Sequence, residues 1–273
     1  MLSLNTNMMA LVARRSWAQT ESALAITTAR LASGLRINSA RDDAAGLAIS
    51  ERFLAQIRGT DVAARNANDA VSMAQMGEGA TGSVVSALQR MNELAVQAAN
   101  GTLTSGDRAL LEVEFDQLQA DVADLVADTQ YDGKTLLDNA DSAAIQVGPN
   151  AGQTVSVTNT NLSTMSTTVG ALSLTDGTGA LATAAMSALE TALTTATSAQ
   201  ASWGAVQNRF DSVVSQLQSS SLILTAARGR IRDADIATET SNRARLLVLQ
   251  DSAVAMLAQA NARPQMVLSL LLG

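Results

Sequence analysis

The stretch RLASGLRINSARDDAAGLAIS, residues 30–50, interrupts a chain that otherwise has the residue pattern of long helices. Gly34 ends the first pattern, at a place where a helix C-terminus readily uses the left-handed conformation of glycine. Ser39 precedes Asp42 by three residues, which predicts a capping-box start: the hydroxyl meets a free amide and the carboxylate favours the positive helix end. The stretch therefore predicts that one helix stops, a charged connector follows, and a second helix begins.

Helical patterns lie on both sides of this connector. Residues 1–35 carry apolar side chains at three- and four-residue steps, which predicts a narrow seam for a partner helix rather than a broad core face. The second helix is predicted from about residue 40 to residue 99, a length of about 90 Å at 1.5 Å per residue. Asn100 begins an Asn-Gly turn signal, after which Ser105 is predicted to cap a third helix.

The middle of the chain has a different pattern. Residues 144–158, AIQVGPNAGQTVSVT, alternate apolar and polar residues around a Gly/Pro/Asn loop, which predicts a β-hairpin. Residues 159–182 are rich in Thr, Ser and Gly and are predicted as irregular or partly extended surface. The helical seam returns at about residue 183, and a second charged interruption at 228–239 mirrors the first. The fold is therefore predicted to be mainly α, with long antiparallel coiled-coil helices from both termini and a small β-hairpin region in the middle.

The composition excludes most enzyme chemistry. The 273 residues include no Cys and no His, so the chain has no thiolate nucleophile, imidazole base or usual zinc ligand. We expect no enzymatic activity, no cofactor and no metal site. A net charge of -7 and a single lysine, Lys134, disfavour nucleic acid. The N-terminus lacks the pattern of a cleaved secretory signal, and no run of about 18 apolar residues predicts a membrane span.

Two motifs have a functional and a structural interpretation. Residues 77–82 match GxGxxG, but their neighbours are helical and no strand precedes them, which favours a helix softened by glycine over a nucleotide site. Asp42 and Asp43 form a carboxylate pair with no catalytic partner nearby in the sequence. We expect them to cap the second helix and to pair with Arg36 or Arg41.

Several blocks of the chain, in the same order, resemble bacterial flagellin, the subunit family of the flagellar filament. Together they cover nearly the whole length. The blocks are LNTNMMAL at 4–11, RLASGLRINSARDDAAGLAIS at 30–50, RNANDAVSMAQMGEGA at 65–80, LQRMNELAVQAAN at 88–100, YDGKTLL at 131–137, IQVGPNAGQT at 145–154, GAVQNRFDS at 204–212 and AVAMLAQANARPQMVLSLL at 253–271. Trp203 is a departure, since a smaller apolar residue is common there in the family.

The resemblance implies three parts of the chain. Residues 1–40 plus 234–273 are expected to form an inner terminal coiled-coil domain. Residues 41–138 plus 183–233 are expected to form an outer helical-bundle domain. Residues 139–182 are expected to hold the β-hairpin and a short variable surface segment.

The resemblance also implies contact residues. Connector residues expected at the subunit interface are Gly34, Arg36, Asn38, Ser39, Arg41, Asp42, Asp43, Arg232, Asp233 and Asp235. Residues expected to pack the inner coiled coil are Leu4, Met8, Leu11, Leu24, Leu31, Leu246, Leu249, Met256, Leu257, Val267, Leu270 and Leu271. Residues that match the family's surface for an animal Toll-like receptor are Arg90, Glu93, Leu94, Gln97 and Glu114, whereas Asn92 stands where flagellins often carry Arg.

The function implied is a structural subunit that polymerises head-to-tail into the extracellular flagellar filament for swimming. The partners implied are other copies or sibling flagellins, the filament cap and hook-associated proteins, a flagellar export chaperone, and the Toll-like receptor. Secretion in an unfolded state through the flagellar type III apparatus is also implied. Two alternatives stay open: a hook–filament junction protein, and an exported membrane-active helical effector suggested by the apolar VLSLLLG ending.

Overall fold

A computed structural model describes residues 6–272, and the side chains of residues 6–263. Its helices are α1 (Met8–Ser33), α2 (Ala44–Ala98), α3 (Ser105–Asp128), α4 (Ser163–Gly170), α5 (Ala180–Arg232) and α6 (Ile236–Leu272). Its strands are β1 (Gln130–Tyr131), β2 (Lys134–Thr135), β3 (Ser142–Gln146) and β4 (Thr154–Thr158), which form two antiparallel pairs, β1 with β2 and β3 with β4. The predicted fold class, mainly α with a small hairpin region in the middle, is confirmed.

The chain divides into two compact units. The terminal unit comprises residues 1–55 with 223–273, and the central unit comprises residues 56–222. Helices α2 and α5 each contribute residues to both units.

The terminal unit is built on the pairing of α1 with α6. The residues of α1 that are least exposed recur at alternating steps of three and four, which is the repeat of a coiled coil. We call these positions, together with their counterparts on α6, the α1–α6 seam. On α1 they are Ala10, Ala13, Trp17, Thr20, Leu24, Thr27 and Leu31, and on α6 they are Glu239, Asn242, Leu246, Gln250, Ala253, Leu257 and Ala260.

The seam differs from the prediction in one respect. Leu24, Leu31, Leu246 and Leu257 are half-buried on it, but four other apolar residues predicted to pack there are exposed in the single chain. They are Met8, Leu11, Leu249 and Met256. The reason is that the repeat on α1 runs through Ala10 and the repeat on α6 through Ala253, which turns these four side chains away from the partner helix. Leu4 lies outside the described residues, as do the side chains of Val267, Leu270 and Leu271.

The central unit has one cluster of buried residues that joins α2, α3, α5, α4 and the hairpin. Many of its members are alanines, which permit close approach of helices, and the largest are Trp203, Phe115 and Phe210. The predicted hairpin is confirmed, with Ile145 of β3 opposite Val155 of β4. It contacts α2, because the Asn66 side-chain amide donates to the carbonyl of Gln146 at 3.1 Å.

Residues 159–182 are more ordered than the sequence predicts. They include helix α4, and Leu162, Met165 and Val169 are buried at helical spacing. The Gln119 side-chain amide of α3 donates to the carbonyls of Val169 and Leu172 at 2.8 and 2.9 Å. The prediction of irregular surface is wrong here. A few apolar residues at helical spacing are enough to fold this Thr-rich segment against α3.

Arg108 is a buried cation in the central unit, 1% exposed. Its Nε donates to the carbonyl of Ala98 at 2.7 Å, Nη2 to that of Asn100 at 3.2 Å, and Nη1 to that of Asp176 at 3.2 Å. One guanidinium therefore joins the end of α2, the turn after it, and the loop before α5. The cap of α3 is Thr104, whose hydroxyl and backbone make a capping box with Asp107, and not the predicted Ser105.

Asp176 caps the start of α5. Its carboxylate accepts from the amides of Leu181 at 2.9 Å, of Gly179, and of Thr178 at 3.2 Å, and from the Thr178 hydroxyl at 3.1 Å. These donors, that of Leu181 first, lower the pKa of Asp176 to about 2. A carboxyl whose pKa is lowered by folding stabilises the protein above its unfolded pKa, and this contribution is lost as the pH falls through the folded value.

We therefore expect a pH-dependent difference between the parent chain and Asp176→Asn. The parent should be the more stable of the two at pH 7, and the difference should shrink as the pH falls from about 4 to about 2. Urea unfolding followed by circular dichroism at a series of pH values measures both proteins. A difference that stays constant across this window would show that the Asp176 carboxylate does not supply the stabilisation.

The GxGxxG motif lies inside α2, so the helical interpretation is confirmed. A Cβ atom at Gly77 would come within 2.6 Å of the buried Trp203 ring, whereas one at Gly79 would meet no atom within 4 Å. The glycine at 77 therefore makes room for the Trp203 indole.

This contrast predicts opposite effects from two matched substitutions. Gly77→Ala should destabilise the central unit by about 1–3 kcal/mol, because the indole is buried and has no space to move. Gly79→Ala should stabilise it by up to about 1 kcal/mol, since alanine is the better helix former. Urea unfolding of the two variants measures the difference. Equal stabilities would contradict the proposed contact.

Candidate functional site

The charged connector begins where α1 ends. Gly34 has φ of 69°, a left-handed conformation, and its amide donates to the carbonyl of Arg30 at 2.8 Å. The predicted C-terminal glycine is therefore confirmed. The next residue, Leu35, forms an isolated antiparallel bridge with Asp233, which lies in the second charged interruption.

Backbone hydrogen bonds join the two interruptions directly. The amide of Arg36 donates to the carbonyl of Arg232 at 2.7 Å, and the amide of Ala234 donates to the carbonyl of Gly34 at 2.9 Å. The structure thus brings together segments that are about two hundred residues apart in the chain. They form the end of the terminal unit at which α1 and α6 meet their connectors.

Asp42 folds the first connector on itself. Its carboxylate accepts from the amide of Ser39 at 2.8 Å, the amide of Asn38 at 3.0 Å, and the Ser39 hydroxyl at 3.1 Å. These bonds, first the Ser39 amide and then that of Asn38, hold the pKa of Asp42 below its ordinary value. The prediction that the Ser39 hydroxyl caps the second helix is wrong, because this hydroxyl donates to Asp42 in a turn that precedes the helix.

The two helices that leave the connectors are each capped by a carboxylate. Asp43 accepts from the amide of Gly46 at 2.9 Å, and α2 begins at the next residue, Ala44. Asp235 accepts from the Thr238 hydroxyl at 2.8 Å and amide at 3.2 Å, which lowers its pKa, and from the amide of Ala237 at 3.0 Å. Both carboxylates lie at the positive end of a helix dipole.

The connector arginines do not pair with these carboxylates, contrary to the prediction. Arg36 donates from Nη2 to the carbonyl of Ile231 at 2.6 Å, and Arg232 pairs with Glu51 of α2 at 2.7 Å. Arg41 is exposed and makes no ion pair with any described residue. The physical reason is that backbone amides and the Ser39 hydroxyl already occupy the two aspartates.

Two long-range contacts of the terminal unit were not predicted. Nη1 of Arg30 lies 3.0 Å from Oε1 of Glu239, which is 8% exposed in the seam. The side chain of Asn7 donates to the carbonyl of Ala260 at 2.7 Å, near the other end of α1. The sequence contains a signal for the first contact. Arg30 lies four residues before Gly34 and Glu239 lies four residues after Asp235, so the two side chains have mirrored positions relative to the two connectors.

Large apolar side chains remain exposed on both terminal helices. On α6 they lie on every side that the seam leaves free, with exposures from 40% for Leu247 to 65% for Val248. Charged side chains such as Arg243, Arg245 and Asp251 are exposed among them. Exposed apolar patches of this kind mark contact surfaces. We call the members of this set on α1 and on residues 247–256 of α6 the exposed apolar surface. They are Met8, Met9, Leu11, Val12 and Ile26 on α1 and Leu247, Val248, Leu249, Val254 and Met256 on α6.

The residues that resemble a receptor-binding surface lie on α2 and α3 of the central unit. Arg90 stands between two carboxylates, 2.9 Å from Glu93 and 2.8 Å from Glu114, and these partners, Glu93 first, raise its pKa. Gln97 is exposed on the same helix as Arg90. Leu94 is the exception, because it is 2% exposed in the core and offers no side chain to a partner.

Two kinds of site are absent from the described residues. Within them, no three Cys, His, Asp or Glu side chains gather where a metal ion would be held. None of the described helices is both long and apolar enough to cross a membrane.

Comparison with known proteins connects this geometry to one family. The family model for the bacterial flagellin N-terminal helical region matches residues 4–142, and that for the bacterial flagellin C-terminal helical region matches residues 186–271. A flagellin of Halalkalibacterium halodurans is 44% identical over 89% of both chains. A flagellin of Bacillus subtilis is 35% identical over 99% of this chain and 100% of its own.

Solved structures add two similar folds. The crystal structure of Bacillus cereus flagellin has a TM-score of 0.51 and 30% identity, covering 56% of this chain and 88% of that chain. A chain from Vibrio parahaemolyticus assigned as a flagellar hook-associated protein has a TM-score of 0.58 over 70% of this chain and 100% of its own. At 15% identity it is similar in fold alone.

Proposed function

This chain belongs to the bacterial flagellin family, and from this premise we propose that its exposed apolar surface and its connectors are the surfaces by which copies pack in the filament. Members of the family are structural subunits of the flagellar filament and not enzymes. The motility role of this chain follows from the family. Its location is the flagellum, where the filament lies outside the cell.

One observation carries the proposal: α6 exposes large apolar side chains on every side that α1 does not cover. Each chain has one such surface. When this surface packs against a different face of the next copy, the last copy added still has a free surface at the end of the polymer. Such a heterologous contact that does not close into a ring generates an open helical polymer. Burial of a large apolar side chain contributes about 1.5–3 kcal/mol. The exposed apolar surface has ten such side chains, so their burial strongly stabilises each added copy in the filament.

We assign the three parts expected from the sequence to this assembly. Residues 1–40 plus 234–273 act as the inner coiled coil, residues 41–138 plus 183–233 as the outer bundle, and residues 139–182 as the outer surface. The compact terminal unit and the separate core of the central unit support a division into an inner and an outer part, although the terminal unit also includes residues 41–55 and 223–233.

The connectors are assigned a role in positioning one copy on the next. The backbone bridge between them gives this region a defined shape, and Arg41 presents a cation that no described carboxylate satisfies. A carboxylate of a neighbouring copy is the partner that this cation fits.

Seeded growth tests the proposal. The purified chain is added to short filament seeds and the lengths are measured by electron microscopy. Long filaments that extend from the seeds support the proposal. Seeds that are capped but not lengthened would favour a hook–filament junction protein, and leakage of liposomes by the monomer without filaments would favour a membrane-active effector.

The further partners are proposed from the family. They are sibling flagellins, the cap and hook-associated proteins at the filament ends, and a chaperone that accompanies the chain to the type III export apparatus. Secretion in an unfolded state fits a terminal unit that consists chiefly of a helix pair, since such a unit has little core of its own.

Recognition by an animal Toll-like receptor is a second proposal, favoured by the exposed, ordered Arg90 between Glu93 and Glu114. We expect Arg90→Ala to require about tenfold more protein for half-maximal receptor signalling, because an arginine at the centre of an interface often dominates binding. Arg65→Ala, at another exposed arginine of α2, is the matched control and should signal as the parent does. Equal signalling by both variants would count against this surface.

A further inference from the structure

Helix α6 contains a proline in its interior. The helix runs from Ile236 to Leu272, and Pro264 lies within it. A proline has no amide hydrogen, so it cannot donate to the carbonyl four residues earlier. The carbonyl of Ala260 therefore lacks its normal helical donor at position 264.

Asn7 of the chain's other end supplies a donor to this carbonyl. Its Nδ2 donates to the oxygen of Ala260 at 2.7 Å, while its Oδ1 accepts from the amide of Ala10 at 3.0 Å and caps α1. The side chain of Asn7 therefore uses both of its polar atoms. Its oxygen accepts from the first turn of α1, and its nitrogen donates to α6. Ala260 is itself 5% exposed, so a free carbonyl there would be costly to leave without a partner.

The seam itself specifies the alignment of α1 and α6 weakly. Its positions repeat every seven residues on α1, and most of them are Ala, Thr or a polar residue. A shift of α1 by seven residues would place Thr20, Thr27 and Leu31 where Ala13, Thr20 and Leu24 lie. Only the positions of Ala10 and Trp17 would change greatly in size, so few seam contacts distinguish the two alignments. At one end of α1 the alignment is held by the connector bridge and by the pairing of Arg30 with Glu239. The other end of α1 is about 39 Å away at 1.5 Å per residue.

We propose that Asn7 and Pro264 are a matched pair that positions α1 against α6 at the end far from the connectors. Pro264 leaves the carbonyl of Ala260 without its helical donor. Asn7 donates to that carbonyl while it caps α1. The alignment determines which members of the exposed apolar surface on the two helices lie side by side where a neighbouring copy meets them. This inference rests on the proposed function, since its consequence is the rate at which copies add to the filament.

The test is a double-mutant cycle in the full-length chain, measured by seeded elongation. Asn7→Asp keeps an acceptor for the cap of α1 but cannot donate to Ala260, and we expect elongation about fivefold slower than in the parent. Pro264→Ala restores a helical donor to Ala260. In that background Asn7→Asp should slow elongation by less than about twofold, because the carbonyl no longer depends on Asn7.

Asn261→Asp is the control for added charge, since Asn261 is exposed and close to Asn7 in the chain's fold. Its slowing measures the cost of a new carboxylate at this end of the two helices, and Asn7→Asp should be slower still. The matched pair is overturned if Asn7→Asp is no slower than Asn261→Asp, or if its effect is the same with and without Pro264. If Pro264→Ala does not elongate, the comparison of Asn7→Asp with Asn261→Asp decides alone. A parent chain that fails to lengthen seeds would instead overturn the proposed function.

Discussion

Replacing Val248 with aspartate should abolish the growth of filament seeds while leaving the central unit folded. Val248 is 65% exposed in the single chain, so a carboxylate is tolerated there in water. In the proposed packing the same position is buried among neighbouring copies, where an unpaired carboxylate costs several kcal/mol. A cost of about 3 kcal/mol corresponds to a loss of more than a hundredfold in the affinity of the growing end.

Val248→Ile is the matched control, because it keeps an apolar β-branched side chain at the same place. It should elongate at close to the parent rate. Circular dichroism melting of the two variants checks that the central unit is unaffected. Normal elongation by the aspartate variant would mean that this side of α6 faces water in the filament.

Replacing Arg108 with methionine should destabilise the central unit by about 3–5 kcal/mol. Methionine fills the space but donates nothing, so the carbonyls of Ala98, Asn100 and Asp176 lose their donors, at about 1–3 kcal/mol for each that stays buried. This decrease in the free energy of unfolding is near the upper end of the range for single substitutions. Urea unfolding followed by circular dichroism measures it.

Two controls accompany this prediction. Arg108→Lys keeps the charge but cannot reach three carbonyls with one planar group, so its stability should be intermediate. Arg65→Met changes an exposed arginine of the same unit and should alter stability by less than about 0.5 kcal/mol. If Arg108→Met were as stable as Arg65→Met, the three hydrogen bonds would not hold these segments together.

The features that the sequence predicts well are those encoded by local repeats. Long helices follow from apolar spacing, the hairpin from alternation around Pro149, and the helix end from Gly34. The exact caps are less predictable, since Asp43 and Thr104 cap helices where Ser39 and Ser105 were expected. Neighbouring polar residues compete for the same free amides, and the local geometry of the turn selects among them.

Features that depend on distant contacts could not be predicted in this way. Leu94 belongs to the core, which a match of residue types to a surface does not show. Helix α4 forms because Gln119 donates a hydrogen bond to its end and because its apolar residues pack in the core of the central unit. Met8 is apolar but exposed, since one chain covers only one side of each terminal helix. In the proposed assembly, the partner of this surface is another copy.

Helical reconstruction by electron cryomicroscopy of filaments grown from seeds tests the central claim most directly. We expect density in which Val248, Leu249 and Met256 pack against α1 or α6 of neighbouring copies, with little of the exposed apolar surface left in contact with water. Filaments in which these side chains face solvent, and in which residues 56–222 supply all contacts between copies, would contradict the account.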